Sequence, residues 1–314
     1  RIKKLIWTFY CKMFRYPIWF ILIGKTRPVN SYDSMTDFKP LYPKKGHFYA
    51  DPFIFKKHDK TYVFYEDYIF YKSKGVIAVR EVYREGNFSN QKVVLERDYH
   101  LSYPFLFEWS GNIYMIPETS QNLTIEVYQA TDFPERWELY KVLINNINAS
   151  DTTLYQYAGK YWMFTHILNP NRMPNVDLHL FYADSPFGEW KSHPQNPVIS
   201  DIRTARPGGN IFMINNNIIR PGQNCSICYG GSISLNNIEV ISDNEYKEVI
   251  WEQIYPYGIP DNQCIHTFNF NEDYTVIDGK VIITDFHKIG RKFASFFYKL
   301  FRLFKRFNII SIFR

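Results

Sequence analysis

Two aspartates in this 314-residue chain, Asp51 in YADPFIF and Asp151 in ASDTTLYQY, stand at the mouths of aromatic-rich, strand-like runs. A carboxylate so placed can take a proton from a hydroxyl group, or it can be a turn residue that bonds backbone N–H groups. Two nearby carboxylates tend to separate in pKa, so Asp51 is expected as a base and Asp151 as the group that tunes it or holds a second hydroxyl. Arg206 in ARPGGN and Arg220 in IIRPGQ supply permanent cations of the kind that bind phosphate. For an Arg placed before Pro-Gly at a strand entry, a structural salt bridge to Asp51 or Asp151 is the competing reading.

These residues recur at a regular interval. YADPFIFKKHDKTYVFYE (49–66) realigns with SYPFLFEWSGNIYMIPE (102–118) and with ASDTTLYQYAGKYWMFTH (149–166). ARPGGNIFMINNNIIRPGQ (205–223) and CIHTFNFNEDYTVIDG (264–279) have the same outline. Each copy is a polar residue, an apolar strand, a tight turn and a second aromatic strand, and further strands lie between copies. About four strands per unit is the content of one propeller blade, so five units predict an all-β, five-bladed β-propeller over residues 17–285. Strand starts then converge on one funnel, with Asp51, Pro104, Asp151, Arg206 and His266 at matching places. Helical periodicity appears only at the termini, which predicts a basic lead-in helix over 1–16 and a basic amphipathic helix over 286–314.

Charge divides the chain in the same way. Residues 1–27 carry seven Lys or Arg and residues 286–314 carry eight, with no acid in either. Of the 37 basic residues, 22 remain between them against all 31 acids, a net of −9. Nucleic acid would demand a basic surface on the fold itself and is excluded as a partner; an anionic membrane surface suits basic ends on an acidic body. Phe293, Phe296, Phe297, Leu300, Phe301, Phe304 and Phe307 fall on one helical face, and Arg291, Lys292, Lys299, Arg302, Lys305 and Arg306 on the other. That is the pattern of an interfacial helix, or of a helix docked on its own domain or a partner subunit. IWFILIG (18–24) is too short to span a bilayer and reads as a first strand. The chain begins without Met, which leaves room for an upstream segment. Cys225 and Cys228 form a CxxC without a second pair or a close His pair, and read as small strand or loop residues rather than a zinc site.

The ADP-plus-strand start and the aspartate of the third copy resemble the five-bladed propellers of glycoside hydrolase family 43. That resemblance implies Asp51 as general base and Asp151 as the orienting carboxylate. Where the family would place a Glu as general acid, this chain has TARPGG with Arg206. A permanent guanidinium cation does not give up a proton to a departing oxygen as that acid would, but it suits a leaving group that is already an anion. FYADPFIF, RPGGNIF, IIRPGQNCSICYGGSISL and IHTFNFNEDYTVIDG together resemble, more specifically, the propeller domain in the N-terminal region of glucosamine inositolphosphorylceramide transferases. This likeness covers roughly residues 17–285. In the plant enzymes a separate glycosyltransferase domain follows the propeller.

The resemblance implies a glycosyltransferase of cell-surface polysaccharide or glycolipid assembly, and the low Cys count and basic ends fit a cytoplasmic location, peripheral on the membrane. It would transfer a sugar from a phosphate-activated donor, a sugar nucleotide as substrate, to a glycan or lipid-linked acceptor. A family 43-type hydrolase, or a non-catalytic glycan- or lipid-binding propeller that positions a partner glycosyltransferase, are the alternatives. Arg206 and Arg220 would clamp phosphate. Gln223, Asn224 and Tyr229 would offer neutral donors and a flat ring to a sugar, or pack the fourth blade. Glu118, in IPETS, would replace the missing acid or cap a blade loop. His166 and His266 hold repeat positions and suit either a site or a satisfied core. With no phosphate loop and no DxD motif, a metal-free and cofactor-free mechanism, or no catalysis, is expected. Deleting residues 288–314 is expected to abolish sedimentation with anionic liposomes; unchanged binding would sink the membrane assignment.

Overall fold

A computed structural model describes residues 14–32, 34–258, 261–285, 290 and 293–298. Among them, strands form five antiparallel sheets that match the five predicted blades. β1 (Arg15–Lys25) and β2 (Lys39–Leu41) come first. Blade 1 follows, with β3 (His47–Lys57), β4 (Lys60–Ile69), β5 (Lys74–Val82) and β6 (Lys92–Leu95). Blade 2 holds β7 (Ser102–Trp109), β8 (Asn112–Glu118), β9 (Thr124–Asp132) and β10 (Arg136–Asn145). Blade 3 holds β11 (Ala149–Tyr157), β12 (Lys160–Ile167), β13 (Asp177–Ala183), β14 (Lys191–Ser192) and β15 (Ile199–Ser200). Blade 4 holds β16 (Arg206–Pro207), β17 (Phe212–Ile214), β18 (Asn217–Asn224), β19 (Ser232–Ile241) and β20 (Tyr246–Ile254). β21 (Phe268–Phe270) and β22 (Tyr274–Thr284) end the series.

Blade 5 closes the ring. Its order is β2-β1-β22-β21, so the first strand of the chain completes the sheet begun by the last two. All eleven residues of β1 pair with β22, from Arg15↔Thr284 to Lys25↔Tyr274. The predicted lead-in helix therefore does not extend to residue 16: Arg15 and Tyr16 are strand, and residues 1–13 lie outside the described set. At the other end, residues 293–298 are helical, and the rest of the predicted C-terminal helix apart from residue 290 lies outside it.

The inner strands of the blades are buried on both faces, which explains why they read as nearly continuous apolar runs, whereas outer strands such as β10 and β20 are largely exposed. Successive side chains on a strand point to opposite faces, so each strand serves two interfaces. Val63 and Tyr65 of β4 pack with Ile21, Ile23 and Val276 of blade 5. Phe64 between them packs with Phe105, Met115 and Val127 of blade 2. On β18, Ile218 joins Trp162, Phe164 and Leu178 of blade 3, whereas Ile219 joins Phe20, Leu22 and Ile277 of blade 5.

The inner strands share one irregularity. The first two strands of blades 1, 2 and 3 slip register between Ala50 and Phe53, Ser102 and Phe105, and Ser150 and Thr153. A residue in each bulge, Asp51, Tyr103 and Asp151, has a left-handed φ of 51°, 43° and 55°. A bulge bends the strand and re-aims a side chain, here toward the axis. The place of Asp51 in blade 2 thus belongs to Tyr103, not to Pro104 as the sequence alignment had it. Tyr103 is fully buried, and its hydroxyl reaches Thr153 Oγ1 at 2.9 Å and accepts the Gly209 N–H at 2.9 Å. It plugs the channel between blades 2, 3 and 4. Gly209 is required there: its φ is +147°, and a Cβ would stand 2.1 Å from the Phe268 carbonyl oxygen.

Candidate active site

Above the plug lies a cavity of about 190 Å³ at one mouth of the channel. At roughly 30 Å³ per water it holds about six waters, or one sugar ring. Asp51, Glu66, Glu118, Arg206, Tyr229 and His266 line it, with Trp19, Phe48, Tyr68 and His100 around them. The residues opposite the positions just before each bulge follow the repeat: Ala50↔Glu66, Ser102↔Glu118 and Ser150↔His166. Blade 4 has Arg206↔Gln223 at the same level.

Asp51 is buried. Its Oδ1 accepts from Thr267 Oγ1 at 3.0 Å and its Oδ2 from the Tyr103 N–H at 3.3 Å. His266 Nε2 stands 3.7 Å from Oδ1. Burial raises the Asp51 carboxyl, His266 pulls it back, and Asp151 and Asp278 push it up again, leaving it at about 6. Burial alone would lower His266, but Asp278 and Asp51 outweigh it and raise its pKa above the ordinary imidazole value. His266 Nδ1 donates to Asp278 Oδ2, and the ring stacks on Trp19 at 4.0 Å and 9°. Asp278, fully buried, is held low by His266 and by backbone N–H groups against the effect of burial.

Asp51, His266 and Asp278 form the one grouping with metal-ligand atoms in reach of one another among the described residues. Asp278 Oδ1 accepts the His266 and Thr267 N–H groups, while Oδ2 accepts the Asp51 N–H and His266 Nδ1. A cation would have to displace the imidazole from Asp278, so the trio fits a hydrogen-bonded charge relay between side chains better than a ligand set.

Glu66 was missed in the sequence reading. It lies on β4, 4% exposed, and one of its oxygens, Oε1, is buried without a hydrogen-bond partner. Burial, then Asp51, Glu118, Asp67 and Asp151, holds its carboxyl well above the usual range. His100 Nδ1 accepts the Gly75 N–H at 2.9 Å, so the neutral ring carries its proton on Nε2, 3.5 Å from Glu66 Oε1. Burial lowers His100 to about 4. An acid inside a strand apolar on both faces was the available signal, and Glu66 ends the same repeat copy that Glu118 and His166 end in theirs.

Asp151 and Arg206 are paired: Arg206 Nε donates to Asp151 Oδ2 at 2.5 Å and Nη1 to Asn175 Oδ1 at 2.9 Å. Nη2 lies 3.8 Å from Glu118 Oε2. Burial raises Asp151, and Arg206 offsets that only in part. Gln223 stands behind, fully buried, and donates to Asp151 Oδ2 at 2.9 Å and to the Pro207 carbonyl at 2.8 Å. It positions Asp151 and does not open to the pocket. Glu118 Oε1 accepts from Ser120 Oγ at 2.6 Å, while Oε2 is buried without a hydrogen bond. Tyr229 lays its ring over the Arg206 guanidinium at 5.2 Å and meets His266 edge-on. His166 is buried and donates Nδ1–H to the Asp177 carbonyl at 2.8 Å; burial lowers its pKa.

Two expected residues are elsewhere. Arg220 is buried within blade 4, where Glu248 receives Nε at 2.8 Å and Nη2 at 2.5 Å, and the Thr204 carbonyl also receives Nη2. The two-arginine phosphate clamp therefore does not form. Asn224 Oδ1 accepts from Ser226 N–H and Oγ, which fixes the turn after β18.

Several comparisons bear on this arrangement. A family model described as glucosamine inositolphosphorylceramide transferase 1, N-terminal, matches residues 27–258. Glucosamine inositolphosphorylceramide transferase 1 of Oryza sativa subsp. japonica is 36% identical over 212 residues, 66% of this chain and 28% of that protein. The Arabidopsis thaliana protein of the same name is 34% identical over 208 residues, 65% of this chain and 27% of that one. The chain thus spans under a third of the length of these relatives. Zg3597, a family 117 glycoside hydrolase of Zobellia galactanivorans, has a similar fold, with a TM-score of 0.54 at 12% identity over 85% of this chain and 92% of that one.

Replacing Arg206 with Met leaves Asp151 buried and unpaired, which is expected to cost about 3–5 kcal/mol at pH 7 in urea denaturation. Without its cation Asp151 titrates higher in the folded state than in the unfolded one. The deficit should therefore shrink as the pH falls and Asp151 takes up a proton. A deficit that does not change with pH would show that the pair is not what holds Arg206.

Proposed function

The chain belongs to the family described as glucosamine inositolphosphorylceramide transferase 1, N-terminal, and on that premise we propose that its channel-mouth pocket is a saccharide site for glycosyl transfer. The relatives' names point to a transferase. The observation that carries the site is the contrast between two neighbouring carboxyl groups: Asp51 at about 6, and Glu66 well above the usual range. Titratable groups pushed apart by their surroundings divide into a base and an acid.

In this reading Asp51 takes the proton from an acceptor hydroxyl as its oxygen bonds to the anomeric carbon. The bond from that carbon to the leaving oxygen breaks, and Glu66 gives its proton to that oxygen. His266, fixed by Asp278 and Trp19, holds Asp51 in its ionised form. Phe48, Tyr68 and Tyr229 offer apolar ring surface to a sugar, and Phe48 and Tyr68 stack at 4.6 Å. A phosphate-activated donor now has one pocket arginine, Arg206, already shared with Asp151. A leaving oxygen that needs a proton suits Glu66 better. That residue also favours a second reading, glycoside hydrolysis, with water as the acceptor.

The C-terminal helix is assigned in the same proposal to an anionic membrane surface on the cytoplasmic side. Phe293, Phe296 and Phe297 are each more than 60% exposed. Ser295 meets Ser73 at 2.5 Å and Tyr298 meets Tyr71, so the described helical residues rest on blade 1 with those rings exposed. Among the described residues no helix is long and apolar enough to cross a membrane.

Incubation with sugar nucleotides and with aryl glycosides, with and without a sugar acceptor, tests this reading. Asp51→Asn should lower turnover by about 10²–10⁴. Glu66→Gln should do the same for poor leaving groups and far less for activated ones. In wild type, kcat/KM should fall as the pH drops through about 6, where Asp51 becomes protonated. Product on the acceptor supports transfer, and free sugar alone supports hydrolysis. Saccharide binding with no turnover in any arm would leave a binding module and overturn the catalytic claim.

A further inference from the structure

Beside the pocket, the loop between β18 and β19 meets the segment before β21 through two cysteines. Cys228 is exposed on that loop, and Cys264 is fully buried just ahead of His266 in blade 5. Their sulfurs lie 3.4 Å apart. A disulfide needs about 2.05 Å, so the two have to approach by only about 1.4 Å. Cys225, the other half of the CxxC, turns away: its sulfur is buried and accepts the Gly230 N–H at 3.5 Å.

We propose that Cys228 and Cys264 are a redox-closable pair, oxidised by exchange with a small-molecule disulfide, and that their bond fastens Tyr229 over the pocket. The Cys228 thiolate attacks one sulfur of glutathione disulfide, forms a mixed disulfide and expels glutathione thiolate. Cys264 then gives up its proton and attacks the Cys228 sulfur, and a second glutathione leaves. Two protein thiols and one disulfide become one protein disulfide and two glutathione thiols. Exposure makes Cys228 the first to react. Burial pushes the Cys264 thiol up to about 11, with Lys280 opposing, so the closing step quickens as the pH rises.

The bond has a direct mechanical consequence. Tyr229 follows Cys228 in sequence and lies edge-on to His266 at 5.3 Å, above Arg206. Gly230 comes next with φ +65°, where a Cβ would stand 2.6 Å from the His266 Cβ and 3.0 Å from Trp19. The loop is already seated on His266, the partner of Asp51, and on Trp19 stacked against it, and the Gly230 carbonyl accepts the Ile265 N–H at 2.9 Å. Joining Cys228 to Cys264 closes a loop of 37 residues between blade 4 and blade 5 and ties down that seat. The effect on ligand entry rests on the saccharide reading, whereas the bond itself does not.

Equilibrating the full 314-residue chain with excess glutathione disulfide, then denaturing it and counting thiols, tests the pair. Two of the four thiols should be lost, and peptide mapping should recover a Cys228–Cys264 cross-link. Hydrogen exchange at residues 229–231 should be slower in the oxidised protein. In the exposed-site variant Cys228→Ser the cross-link should vanish and oxidation should leave exchange unchanged. Thiols that all survive, Cys228 retained as the glutathione adduct, or a bond to Cys225 instead would each overturn the pair. A cross-link that leaves exchange unchanged would overturn the fastening of Tyr229. None of these readouts needs turnover, so a failure of the saccharide reading would be seen separately.

Discussion

The channel mouth crowds five carboxyl groups, on Asp51, Glu66, Glu118, Asp151 and Asp278, around one guanidinium and one imidazole, those of Arg206 and His266. Charges taken out of water repel or attract strongly, and such a set relaxes by pairing and by retaining protons. Asp278 takes His266, and Asp151 takes Arg206. Asp51 is left with a share of His266, and Glu66 has no cation. The ranking of proton affinities across the pocket follows from that unequal division, and the proposed base and acid are drawn from it.

The fold produces the crowding through two devices. Bulges at the start of the inner strands turn Asp51, Tyr103 and Asp151 onto the axis at a backbone conformation that side chains other than glycine seldom adopt. Closure of the ring then brings the two ends of the chain together, so that Trp19 of the first strand stacks on His266, whose partner Asp278 belongs to the last. Neither device depends on the outer strands, whose task is to fill the space between blades. Tyr103, where the other two bulges carry acids, is the exception: its buried ring and hydroxyl tie blades 2, 3 and 4 together at the axis beneath the pocket.

The repeat was legible because each copy obeys the same two-strand plan, and so five blades and the convergence of Asp51, Asp151, Arg206 and His266 could be read directly. The salt bridge between Arg206 and Asp151 was among the alternatives the residue types allowed. Glu66 was not found, although it stood in the first copy, because an acid on a second strand reads as an ordinary polar break until both faces of that strand are known to be buried. Arg220 was misplaced for the converse reason. Its spacing in RPGQ resembles that of Arg206 in RPGG, but its partner Glu248 lies on β20, two strands away in the same blade, a pairing that no local motif announces. The register of blade 2 slipped by one residue because a Tyr-Pro in SYPF occupies the bulge that an Asp-Pro occupies in blade 1.

The central claim is that one pocket carboxyl, Glu66, keeps its proton at neutral pH while Asp51 has lost its own. Infrared spectroscopy of the protein at pH 7 reads this directly, through the C=O stretch of an un-ionised carboxyl group. The account predicts a band of this kind that disappears in Glu66→Gln and persists in Asp51→Asn. A spectrum without the band, or one whose band survives in Glu66→Gln and is lost in Asp51→Asn, would contradict it.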